Sequence, residues 1–132
     1  MRVQPFVLLV ATVLAGCGSI YHPAGVDGGY AESQVGRNVF RVTVKGNIGS
    51  NQAETNEMAL LRSAEVALQN GFTFFTSGGY AATGSAVSLA TNVVSVPATT
   101  ITIVCYGDRP ETTAVVYDAD RIVATLGPKY RK

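Results

Sequence analysis

In the stretch NVFRVTVKGN, Phe40, Val42 and Val44 alternate with Arg41, Thr43 and Lys45. A strict period of two in aromatic and β-branched residues predicts a strand with one buried face. Gly46-Asn47 ends it, and GNIGSN reads as a loop. In QAETNEMALLRSAEVALQNG the period lengthens. Leu60, Leu61, Ala64, Ala67 and Leu68 share one helical face, while Ala59, Arg62 and Gln69 point the other way. Asn51 with Glu54 three positions later resembles a capping box. Gly71 after Asn70 predicts a left-handed cap, with Phe72 folding back over the last turn.

FTFFTS predicts a return strand from Phe72 to about Thr76. A helix between two strands can join them in parallel by a right-handed crossover. Gly78 to Thr99 is small, polar and uncharged with β-branched patches, and reads as a long loop or an irregular hairpin. TITIVCY predicts a strand with Ile101, Ile103 and Cys105 on one face, GDRPET a turn, and TAVVYD a further strand. Asp118 or Asp120 can cap a short helix through Leu126 that Gly127-Pro128 ends. The expected class is α+β: a small two-layer domain with one main helix on a mixed or antiparallel sheet of about four strands, plus a short C-terminal helix.

The N-terminus follows a different pattern. After Met1-Arg2, every residue from Phe6 to Ala15 is apolar except Thr12. The run is short of the ~20 residues that span a bilayer and fits the ~7–15 of a signal h-region. It ends in Leu14-Ala15-Gly16-Cys17, which resembles the lipobox of bacterial lipoproteins. In that family the peptidase cuts before the cysteine, whose thiol carries a diacylglycerol. The resemblance implies residues 1–16 as a signal peptide and Cys17 as the lipid attachment, holding the chain on a membrane without a transmembrane helix. Buried acyl chains contribute ~0.8 kcal/mol per CH₂. Gly18 follows where Asp favours inner-membrane retention in enterobacterial lipoproteins, so it resembles an outer-membrane, periplasm-facing address. Residues 17–29, CGSIYHPAGVDGG, are glycine-rich without an apolar period and read as a flexible tether. Residues 30–132 then form a single domain.

Composition narrows the partners. Lys and Arg total 10 against 9 Asp and Glu, and Arg2 leaves with the leader, so the mature chain is formally neutral. That gives no electrostatic case for nucleic acid. Of the 2 cysteines only Cys105 remains beside Cys17, so no disulfide within the mature domain is expected. One histidine and one cysteine cannot build a zinc site. His22, the sole histidine, lies in the tether, which argues against a Ser-His-Asp or Cys-His site. GYAATGS has the glycines of a phosphate loop but lacks the lysine before Ser85. No catalytic, cofactor-binding or metal-binding residue is assigned.

Tyr30, Glu32, Gly36, Phe40-Arg41-Val42, Gly46-Asn47, Leu61-Arg62, Ala64-Glu65, Gly71 and the aromatics from Phe72 to Phe75 resemble a family of small Caulobacter-type lipoproteins of unknown function. The tail VYDADRIVATLGP fits the same pattern. The resemblance implies a lipid-anchored envelope location and an α+β domain, and no activity.

Two features carry candidate function. Glu57 falls near the centre of the helix stripe; it either exploits the helix N-terminus or pairs with Arg41 or Lys45. The sheet face opposite the helix would carry Arg41, Thr43, Lys45, Thr100, Thr102 and Tyr106, with Phe75 beside them. That face is either simply wet or docks an envelope protein or glycan, with Arg41, Lys45 and Tyr106 as the candidate contacts. Three function classes stand: a non-enzymatic interaction module, a ligand-binding or sensory lipoprotein, and a hydrolase with an unrecognised site.

Overall fold

A computed structural model describes residues 20–82, 85–89 and 92–131. Residues 1–16, expected as a signal peptide, and the expected lipid attachment Cys17 lie outside the described residues.

The elements are β1 (Gly29–Gln34), β2 (Val39–Lys45), α1 (Gln52–Gln69), β3 (Phe74–Ala82), β4 (Ser85–Leu89), β5 (Asn92–Val96), β6 (Ala98–Tyr106), β7 (Val116–Asp118) and α2 (Ala119–Tyr130). Five strands form one antiparallel sheet in the order β1-β2-β6-β3-β7, and β4 pairs with β5 as a separate hairpin. This is the expected α+β architecture, with one more strand in the main sheet than anticipated. The strands on either side of α1 are parallel to each other, as the crossover suggested. They are not neighbours, because β6 inserts between β2 and β3 and pairs antiparallel with both.

The alternation in β2 and β6 translates directly into two faces. Phe40, Val42, Val44, Ile101, Ile103 and Cys105 are buried toward the helices. In β3 the phase differs from expectation. Phe75 lies opposite Cys105 and is fully buried, whereas Phe74 lies opposite Tyr106. Directly opposed residues share a face, so Phe75 belongs to the core, stacked on Tyr117 at 5.1 Å. Phe74 takes the place assigned to it on the outer face. A register shift between Ser77 and Tyr80 lets β3 continue to Ala82.

Helix α1 begins and ends as its sequence dictates. The Asn51 side chain accepts from the Glu54 N–H at 2.9 Å. At the other end Gly71 takes φ +84°, its N–H reaches the Leu68 carbonyl at 3.1 Å, and the Phe72 N–H reaches Ala67 at 2.9 Å. These two bonds form the Schellman pair. The buried surface of α1 is wider than one stripe. Ala59 and Arg62 are buried, while Leu60 and Leu68 are only partly so. The reason is enclosure on two sides: the sheet covers one flank and α2 packs on another. Asp118 caps α2, and the helix runs through Gly127-Pro128 to Tyr130 rather than stopping at Leu126. Pro128 removes one backbone donor near the end, where the last turn still closes through Arg131 N–H to Gly127 at 2.8 Å.

The stretch from Ile20 to Gly29 is folded, not a loose tether. Ile20 is 6% exposed and belongs to the core. The His22 carbonyl accepts from the Tyr30 N–H and the Ala24 N–H reaches the Tyr30 carbonyl, both at 2.8 Å. Residues 22–24 therefore pair with the start of β1 at Tyr30, satisfying both of its outward backbone groups, while Ala31 to Gln34 stay exposed. Gly28 (φ +103°) closes the turn, with its Cα so near the end of β2 that a Cβ would sit 2.5 Å from the Lys45 carbonyl oxygen.

Candidate functional site

The outer sheet face is exposed at the two positions singled out in β2. Arg41 and Lys45 are both exposed, and Thr43 between them is half-buried. Among the described residues neither forms an ion pair. Thr43 Oγ1 lies 3.1 Å from Thr100 Oγ1 on β6, and Thr102 sits opposite Arg41. Arg41 and Lys45 lie four positions apart along β2, about 13 Å at the usual rise. Tyr106 lies four residues beyond Thr102 in the opposite direction. The three residues thus share a face without touching, strung along most of its length.

Each end of this face has its own surroundings. At one end Tyr106 opposes Phe74, and the Arg109 guanidinium lies 5.9 Å from the Phe74 ring centre. This aromatic and cationic cluster replaces the Tyr106–Phe75 pair expected from sequence. The phase of β3 follows from the pairing with β6 and not from a local sequence signal: Thr73 N–H bonds the Tyr106 carbonyl at 3.1 Å, so Phe74 stands opposite Tyr106. At the other end Lys45 lines an open depression of about 610 Å³ together with Val26, Asp27, Gly28, Asn47, Ile48 and Val96. Val26 and Ile48 are exposed large apolar residues.

A second polar constellation lies on the helix side. Arg62 holds Glu32 through two bonds, Nη2 to Oε1 at 2.6 Å and Nε to Oε2 at 3.1 Å. Its Nη1 reaches Glu65 at 3.4 Å, and its guanidinium stacks 4.1 Å over the Tyr30 ring. Glu65 also pairs with Arg131 at 3.1 Å and accepts a hydrogen bond from the Tyr21 hydroxyl. Burial pushes the Glu65 carboxyl above the usual carboxylate range, against the pull of Arg131. Two arginines and two glutamates cancel in charge. The cluster joins α1, β1, the end of α2 and the N-terminal segment, and its job is architectural.

Glu57 pairs with neither Arg41 nor Lys45. Its Oε2 accepts from Lys129 Nζ at 2.7 Å and from the Tyr130 hydroxyl at 2.5 Å. Those bonds, Lys129 first, hold the Glu57 carboxyl below its ordinary range. The odd wheel position of Glu57 is therefore an anchor for α2. His22 Nδ1 lies 2.8 Å from the Pro23 carbonyl and its Nε2 3.6 Å from Asp27. Cys105 is buried, and burial pushes its thiol up to about 11. Neither arrangement supplies an activated nucleophile.

No family model, no curated protein and no solved structure matches the chain. Among the described residues no helix is long and apolar enough to cross a membrane.

Proposed function

We propose that the chain is a lipid-anchored protein of the cell envelope, attached through Cys17, whose domain is a non-enzymatic interaction module. The observation that carries this is the Leu14-Ala15-Gly16-Cys17 box directly behind a short apolar run. The resemblance to small Caulobacter-type lipoproteins supports it, and Gly18 favours an outer-membrane, periplasm-facing address. The outer sheet face, with Arg41 and Lys45 exposed and the Tyr106, Phe74 and Arg109 cluster at its far end from Lys45, is the surface offered to an envelope protein or glycan. Arginine and aromatic groups are the residue types that anchor interfaces.

Cys17→Ser should abolish incorporation of an alkyne palmitate analogue and leave the uncleaved precursor, because the thiol is the acceptor. Label persisting on the variant would remove the lipoprotein reading. For the docking face, exchanging both Arg41 and Lys45 for Glu should leave the thermal midpoint nearly unchanged, since both are exposed, while reducing partner crosslinking in intact envelopes. Identical crosslinks from wild type and double variant would mean that the face is only solvated.

The ligand-binding alternative has one observation in its favour, the depression beside Lys45, whose size falls in the ~300–1,000 Å³ range of small-molecule pockets. A compound that raises the thermal midpoint of wild type but not of Ile48→Trp would turn the account toward it.

A further inference from the structure

The folded N-terminal segment has a consequence for how the domain sits on its membrane. Residues 17–29 as a free coil would span about 5–6 Å × √n, or roughly 20 Å. Ile20 is instead packed in the core, three positions after Cys17. At 3.8 Å per trans peptide, the Cα atoms of Cys17 and Ile20 can be at most about 11 Å apart. A domain of this length has a radius of gyration near 13 Å. The leash is therefore shorter than the radius of the body it holds, and free tumbling is sterically excluded.

The side that faces the bilayer follows from where the chain enters. Residues 22–24 pair with Tyr30 at the start of β1, and Tyr21 packs against the Tyr30 ring at 5.1 Å between ring centres. The opposite edge of the sheet is β7, four strand spacings away. At ~4.8 Å per spacing that is about 19 Å. We infer that the domain is held with its β1 edge and the Ile20–Ala24 segment against the bilayer that carries the Cys17 lipid, and with its β7 edge turned away. This rests on the proposed lipidation of Cys17. The outer face runs between the two edges and carries Arg41 on the side opposite the helices, so the seated domain leaves it accessible to a partner.

The test uses the full acylated protein purified from membranes and reconstituted in phosphatidylethanolamine–phosphatidylglycerol vesicles containing a nickel-chelating lipid. Ala24→Cys places a fluorophore at the β1 edge, and Val115→Cys places one beside β7; both positions are exposed. Cys105 is buried and resists labelling, and the Cys17 thiol is occupied by lipid. Headgroup nickel should quench the Ala24 label severalfold more than the Val115 label. A flexible ten-residue Gly-Ser insert between Ser19 and Ile20 should abolish that difference without changing acylation. Equal quenching in acylated protein without the insert overturns the inference alone. Missing acyl label on the same sample overturns the anchor, and the inference with it.

Discussion

Arg62 shows how much a single side chain depends on its surroundings. By helical spacing it belongs on the solvent side, yet it is 8% exposed and bridges Glu32 and Glu65. Removing it leaves Glu65 with Arg131 and Tyr21, and leaves Glu32 without its partner but open to water, so the cost falls below the ~3–5 kcal/mol of breaking a fully buried pair. Arg62→Ala should lower the urea midpoint of the fragment from Cys17 onward, by less than Leu61→Ala and by more than a change at exposed Gln69; an effect no larger than at Gln69 would contradict the network. The two α1 glutamates give opposite pH signatures. Glu57 titrates below its ordinary value in the fold, so its contribution is present above the unfolded carboxylate value and is lost as pH falls through the folded one. Glu65 titrates higher in the fold, so its contribution declines as pH rises from the unfolded value through the folded one. Urea melts from about pH 3 to about pH 7 should show Glu57→Gln flattening the acid limb and Glu65→Gln removing the opposing slope.

At the scale of elements, stability rests on the Leu61 side of α1 and on the N-terminal segment. Leu61 is fully buried, and Leu61→Ala should cost ~2–5 kcal/mol. Leu68, expected to match it, is only partly buried, and Leu68→Ala should cost less. A fragment starting at Gly28 loses Ile20 from the core and the Tyr21 bond to Glu65. Burying one aliphatic side chain is worth ~1.5–3 kcal/mol, so that fragment should melt below one starting at Cys17; equal midpoints would mean that residues 20–27 add nothing. What the sequence disclosed was local. The capping signals at Asn51 and Gly71 and the period-two runs of β2 and β6 are set by neighbours within a few residues, and all of them were legible. What it concealed was set by distant partners. The phase of β3 comes from its pairing with β6, the burial of Ala59 and Arg62 from elements packed around α1, and the ordering of Ile20–Gly29 from the edge of β1. At the candidate site the same division holds. Arg41, Lys45 and Tyr106 were found from alternation, whereas Phe74 and Arg109 needed the register.

The whole molecule combines an architectural side with an exposed one. Neutral ion-pair chemistry is concentrated where α1, α2, β1 and the N-terminal segment meet, and the two exposed β2 cations lie on the opposite face of the sheet. Such a division suits the proposed arrangement, a domain held to a surface on one side and offered to a partner on another, and both depend on the proposed anchor at Cys17. The most direct measurement is therefore mass spectrometry of the protein extracted from membranes and digested. The account predicts an N-terminal peptide that begins at Cys17 and carries a diacylglyceryl group on its thiol. A mature chain that begins at any other residue, or at an unmodified Cys17, would contradict it.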